Sequence, residues 1–224
     1  MNVASRGSPT GRIVGDPVPA LVPEHGAVYV LLIGEAPGPR GADKSGIPFF
    51  GDAAGRHLYH VLARMGAVAL PPVVETLPWD GALFRNADVR PVAHGVALGN
   101  AFNRCPTDNG VTFRAPSRAE LEGPDNVRRL SLELAALQTR GLRGVVTMGR
   151  VATRTLDIVF ERTPMPTIAR RALPHPSAQG LLSMAPDRGK GARMADLQQS
   201  WMIRCREVII EAGYPIADVR EGIA

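Results

Sequence analysis

Three stretches of the chain carry the hydrophobic pattern of buried strands, a fourth strand candidate follows them, and helical periodicity fills the spaces between. Residues 27–33 (AVYVLLI) form a continuous apolar run between Gly26 and Gly34, the pattern of a central parallel strand covered on both faces. Residues 95–102 (GVALGNAF), 144–148 (GVVTM) and 167–173 are three further strand candidates. A helix is predicted over 53–65, where Leu58, Val61, Leu62 and Met65 share one face. Another runs over 117–139 with Leu130, Leu134 and Leu137 inward. Ser117 and Glu120 start it with the spacing of a capping box, each side chain answering a free backbone N–H. Residues 150–160 and 194–212 complete the helices, the last with Trp201, Cys205, Val208, Ile209 and Ala212 at helical spacing. Residues 66–90 read as a connection with a short helix at 81–88. Strands alternating with helices predict an α/β class. Residues 1–26, rich in Pro, Gly and Ser and without periodicity, predict an extended or partly disordered arm. Residues 27–224 then form a single domain.

This order puts three loops at the carboxyl ends of predicted strands, at 34–52, 100–116 and 174–180. Ligands of open parallel sheets sit at that edge. The first loop and the helix start after it hold Glu35, Asp52, the pair Phe49-Phe50 and six glycines (Gly34, Gly38, Gly41, Gly46, Gly51, Gly55). Glycines let a backbone approach a flat or anionic ligand closely. The second loop offers Asn100, Asn103 and Asn109, and the third His175-Pro176-Ser177. His57 and His60, one turn apart on the first helix, read as surface or packing residues.

Charge sharpens the picture. Lys and Arg outnumber Asp and Glu by 26 to 21, and the sequence pI is about 9.9. That excess suits an ordinary solvated surface or a polyanionic partner whose phosphates the cations neutralise. Arg104, Arg114, Arg118, Arg188, Lys190 and Arg193 cluster beside the second and third loops, which favours the polyanion. Cys105 and Cys205 are too few for a disulfide scaffold, a zinc knuckle or a four-thiolate cluster, so free thiols in a reducing compartment are expected. No apolar run approaches the ~20 residues that span a bilayer, and the N-terminus lacks a basic segment followed by an apolar one. The chain reads as cytoplasmic. With neither a Walker loop nor a G-x-S-x-G elbow, a nucleotide-binding enzyme or small-molecule hydrolase is disfavoured.

GEAPG at 34–38, followed by GIPFFGDAAG at 46–55, resembles the first motif of the uracil-DNA glycosylase superfamily, and HPS at 175–177 resembles its second. Between them, Asn100-Ala101-Phe102, then Arg114-Ala115-Pro116-Ser117 before Glu120, and VVTMGRVATRTL at 145–156 are similar to the family's central segment. The resemblance implies a three-layer α/β/α sandwich around a four-stranded, mainly parallel sheet. It also implies a monofunctional glycosylase that acts as a monomer on DNA containing uracil or related deaminated bases, with no metal or organic cofactor in the hydrolysis itself, leaving an abasic site. Glu35 matches the acidic residue of the family-4 branch. Asp52 matches the aspartate of the family-5 branch, towards which the loop lengthened at Gly41 also leans. Both branches bind an iron–sulfur cluster through four cysteines. Here the arm has none and the helix-borne position falls near Gly123-Pro124, so no cluster is expected. Phe113 stands where a self-crosslinking branch carries histidine, so suicide chemistry is not expected.

Excision requires a base extruded from the duplex into a pocket. In that scheme Phe49 stacks on the base while Phe50 is core, and Gly34 and Ala36 belong to the same wall. The Asn100 amide donates to uracil O4 and accepts from N3–H, a pairing cytosine cannot satisfy. Asn103 and Asn109 compete for that role, and Asn109 falls at a family-5 polar position. His175 donates to O2, where charge develops as uracil leaves. A carboxylate stabilises the cationic sugar and places water, with Glu35 first and Asp52 second. Ser177, Arg114, Arg118, Arg188 and Lys190 are candidate DNA contacts, and Leu181 or Leu182 would fill the vacated gap. The alternative is a catalytically inactive DNA-binding or damage-recognition homologue.

Overall fold

The four predicted strands pair into one sheet, and the polar loops collect at one edge of it. The computed structural model describes residues 13–215 apart from 108, 110, 111, 166 and 187–189. The first half contains β1 (Ile13–Val14), β2 (Val28–Gly34), α1 (Ala42–Ser45), α2 (Ala53–Arg64), β3 (Val68–Ala69), α3 (Gly81–Asn86), β4 (Val92–Ala93), β5 (Gly95–Asn100) and β6 (Pro106–Thr107). The second half contains α4 (Arg118–Glu122), α5 (Pro124–Gln138), β7 (Gly144–Met148), α6 (Arg150–Arg162), β8 (Ala169–Leu173), α7 (Ala178–Leu182) and α8 (Met194–Glu211). The central sheet has the order β5-β2-β7-β8, and each of its pairings is parallel.

Side chains alternate across a strand, so β2 feeds two cores. Val30 and Leu32 face α2 and α8, meeting Leu58, Leu62, Trp201 and Ile209. Leu31 and Ile33 face α5 and α6, meeting Leu130, Leu134, Leu156 and Val159. Helices on both faces of the sheet make the three-layer α/β/α sandwich. Both central strands are buried on both faces, which is why they read as unbroken apolar runs rather than alternating ones. Leu62 is fully buried, so Leu62→Ala, by cavity formation, belongs to the ~2–5 kcal/mol class that loosens α2 from the sheet.

The helix expected over 117–139 is two helices. The Ser117–Glu120 capping box is present and opens α4. Gly123 then turns extended (φ −61°, ψ 149°) ahead of Pro124, which disfavours α geometry in the residue before it and restarts the helix as α5. The described part of the N-terminal segment is extended and tied down. Val18 N–H donates to the Asn103 carbonyl (2.7 Å), and Leu21 and Leu98 exchange backbone bonds at 2.8 and 2.9 Å. This segment runs along the outer edge of β5, an edge that would otherwise be open for pairing.

Register then fixes the site. Gly34 lies opposite Asn100, Ile33 opposite Thr147 and Met148 opposite Leu173. The strand ends, and the loops that leave them, therefore stand side by side.

Candidate active site

Those loops, with residues of α2, α6 and α8, line an open cavity of about 1210 Å³. Glu35, Ala36, Phe49, Asp52, Asn100, His175 and Ser177 all line it. Gly34 adjoins it: a Cβ there would fall 2.6 Å from the Phe49 ring and 3.4 Å from Asn100 Oδ1. The absent side chain is what lets the ring lie over the end of β2.

Phe49 sits in the left-handed region (φ 63°), which is costly for a bulky residue and persists only where the surroundings impose it. They do so here. Phe50, the next residue, is locked in the core, stacked on Phe84 (centroids 4.4 Å apart) and edge-on to Tyr59 and Trp79. Ser45 Oγ donates to the Phe50 carbonyl (2.7 Å), Tyr59 OH to the Pro48 carbonyl (2.8 Å) and Trp79 Nε1 to the Asp52 carbonyl (2.7 Å). With Phe50 directed inward and its carbonyl held, Phe49 is turned towards the cavity.

The two carboxylates differ in surroundings. Asp52 points back into its own loop, where Ala42 N–H donates to Oδ2 (3.2 Å). A Cβ at Gly38 or Gly41 would run into this carboxylate, which explains glycine at both positions. Burial raises the Asp52 pKa, and backbone N–H groups of Ala42, Gly38 and Gly41 offset part of that rise. Glu35 has no such partners among the described residues. Burial alone raises its pKa, and the half-buried carboxylate is open to the cavity. Its backbone is fixed, because Phe102 N–H donates to the Glu35 carbonyl (2.9 Å) and Ala101 N–H to that of Gly34 (2.8 Å).

Asn100 is 3% exposed, and its Nδ2 is the one buried side-chain polar atom without a hydrogen-bond partner among the described residues. Leaving such a donor unpaired costs about 1–3 kcal/mol, a cost that a ligand acceptor would remove. His175 Nδ1 accepts from Ser177 N–H (3.2 Å), which assigns the proton of the neutral ring to Nε2. Burial lowers the His175 pKa and favours that neutral form. Trp201 Nε1 donates to the Pro174 carbonyl just before it (2.9 Å). Gly180 leaves room for the His175 carbonyl, which a Cβ would strike. Ser177 caps α7, its Oγ accepting from Gly180 N–H at 3.4 Å.

Several expected residues are not brought to the cavity. Asn109 is exposed and uses its amide to close a turn: Oδ1 accepts from Thr112 N–H (2.8 Å) and Nδ2 donates to Thr112 Oγ1 (3.3 Å). Arg114, Arg118 and Lys190 are exposed and off the lining, and Arg118 Nε is bonded to Glu122 (2.6 Å). Arg188 lies outside the described residues. Leu181 is buried in the core at 2% exposure and is not available to enter DNA. Conversely, His57, Phe113, Arg150 and Gln198 line the cavity. His57 follows Ala53 and Ala54, also in the lining, by one helical turn, so the face of α2 at the cavity was readable once the loop was seen as a site.

Cys105 lies near Gly15 and Asp43, whereas Cys205 is on the buried face of α8. Both are buried free thiols. Two separated thiols do not form the ligand set of an iron–sulfur cluster. Among the described residues no three His, Cys, Asp or Glu side chains are gathered to hold a metal ion. No described helix is long and apolar enough to cross a membrane.

Fold and site together define an α/β protein whose aromatic, amide, imidazole and carboxylate side chains gather at the carboxyl edge of a parallel sheet. Residues 23–198 match the Uracil DNA glycosylase superfamily, and the chain belongs to that superfamily. Over 127 residues it is 35% identical to the type-5 uracil-DNA glycosylase of Thermus thermophilus, a match covering 57% of this chain and 48% of that protein. The chain thus matches about half the length of that relative. The crystal structure of SMUG2 from Pedobacter heparinus aligns with a TM-score of 0.46 at 14% identity, over 83% of this chain and 77% of that one.

Proposed function

We propose that the protein is a monofunctional DNA glycosylase that hydrolyses the N-glycosidic bond of deoxyuridine in DNA and leaves an abasic site. The observation that carries this reading is the buried, unpartnered Asn100 amide beside the Phe49 ring. The extruded uracil stacks on Phe49, Asn100 Nδ2 donates to O4, and Asn100 Oδ1 accepts from N3–H. Cytosine offers an amine and a lone pair at those two positions, so both contacts fail and buried groups stay unpaired, at about 1–3 kcal/mol each.

His175 and Glu35 then divide the chemistry. As the C1′–N1 bond breaks, its electron pair goes to uracil, and His175 Nε2–H meets the charge growing on O2. A neutral donor suffices, and none of its proton need be transferred. Glu35, half-buried and without a hydrogen-bond partner among the described residues, faces the cationic sugar and orients the water. Water oxygen bonds to C1′ and its proton passes to the Glu35 carboxylate. Asp52 acts on this site indirectly, by holding the 38–42 backbone in place. The cavity is larger than one base needs, leaving room for the sugar and flanking phosphates, with Ser177 and Arg150 on its lining as their contacts.

An oligonucleotide with a single deoxyuridine tests the reading. Alkali-labile cleavage at that position, and none at deoxycytidine, is the expected result. Tight binding without cleavage would identify a catalytically inactive DNA-binding homologue instead.

A further inference from the structure

Asn100 is the last residue of β5, and a strand end has no inherent reason to hold a side chain to the accuracy that reading a base demands. The carbonyls of Asn100 and Ala101 both accept from one side chain of α5. Arg129 Nη2 donates to both, at 3.2 Å to Asn100 O and 2.8 Å to Ala101 O. The guanidinium is itself held from two further directions. Nη1 meets both carboxylate oxygens of Glu133 at 2.8 and 2.9 Å, and Nη2 and Nε meet Asn126 Oδ1 at 2.8 and 3.2 Å. Asn126 closes the circuit by donating from Nδ2 to the same Ala101 carbonyl (2.9 Å) and to that of Leu121 (2.8 Å).

We infer that Arg129 is a positioning residue for base discrimination, acting through Asn100 from outside the cavity. The inference rests on the proposed reading of the site. Gly34 lies beside Asn100 in the sheet and accepts from Ala101 N–H at 2.8 Å, which fixes the chain on the strand side. Arg129 fixes the two carbonyls that follow. Between them they set the direction of the Asn100 Cα–Cβ bond, so the amide has only its own torsions left to vary. A fork of donors suits this task, since one planar group serves two carbonyls, an amide oxygen and a carboxylate at once. Lysine has a single ammonium and cannot span that set. Glu133 keeps the fork oriented, and the Arg129 side chain is only 20% exposed, which limits competition from water.

Two measurements on the full chain test this. The first needs no activity: the ¹⁵N-labelled Asn100 side-chain amide, assigned by its loss in Asn100→Asp, is followed in Arg129→Lys and Glu133→Gln. Displaced or broadened Asn100 signals are expected in both variants at temperatures where they remain folded. Unchanged signals overturn the inference, whatever the wild type does to uracil. The second is a double-mutant cycle on single-turnover cleavage of a uracil oligonucleotide. Arg129→Lys is expected to lower the rate by roughly 10- to 100-fold, as small misplacements do, and to narrow the preference for uracil over cytosine. In an Asn100→Ala background the same substitution should change the rate little. A full Arg129→Lys loss in that background would show that it acts on general stability, and would overturn the inference while leaving the glycosylase reading intact. Absence of cleavage by the wild type would defeat the glycosylase reading, and the Asn100 signals would still decide the role of Arg129.

Discussion

Glu35 and Asp52 are both carboxylates in one loop system, and their surroundings give them different work. The Asp52 carboxylate is spent on backbone N–H groups of its own loop, whereas Glu35 faces the cavity with no partner among the described residues. This distinction was not legible in the sequence, where both residues stand in similar glycine-rich settings. Which carboxylate turns inward depends on the path of residues 38–42, and glycines at 38 and 41 announce a close approach without naming what approaches. The raised pKa of Glu35 has a sign that can be checked. Its ionised form is disfavoured in the fold, so the penalty is absent below the unfolded-state value near 4.5 and complete above the raised folded value. Glu35→Gln is therefore expected to melt higher than the wild type at pH 7, with the gap closing as pH falls below that ordinary value. Scanning calorimetry across that range would expose an error as a pH-independent or inverted difference.

Strands and long helices were readable because burial imposes their pattern, and β2 and β7 are near-continuous apolar runs for that reason. The devices that hold the loops were not. Trp79 reaches the Asp52 carbonyl and Trp201 the Pro174 carbonyl, each across 27 residues of sequence. The chain has two tryptophans, and each braces one wall of the cavity. Helical spacing correctly placed Trp201 in the core, but nothing local to either ring marks its N–H as a brace. Trp201→Phe keeps most of the apolar volume and removes that donor. It is expected to lower stability by about 1–3 kcal/mol in urea denaturation and to slow base excision more than it weakens DNA binding, because the carbonyl lies one residue before His175. Equal effects on rate and binding would count against a bracing role.

Over the whole molecule, function depends on strand order. Residues far apart in the chain, Glu35, Asn100 and His175, meet because β5, β2, β7 and β8 run parallel and end together. The three polar loops therefore announced a shared site before any contact was known. Less legible was the N-terminal segment, whose described part covers the β5 edge through backbone bonds while its packed apolar residues Val18, Leu21 and Val22 stand among Pro17, Pro19 and Pro23 without strand or helix periodicity. The helix break at Gly123–Pro124 was legible in principle, and the capping box ahead of it drew attention to a single long helix instead. In the proposed function this edge excises uracil with Glu35 as the acting carboxylate and Asp52 as a loop clamp. Single-turnover cleavage of a deoxyuridine oligonucleotide by Glu35→Gln and Asp52→Asn, each assayed below its own melting temperature, tests it most directly. Glu35→Gln is expected to lose about 10²- to 10⁴-fold in rate with DNA binding retained, while Asp52→Asn keeps most of its rate. Full activity in Glu35→Gln together with a dead but folded Asp52→Asn would contradict it.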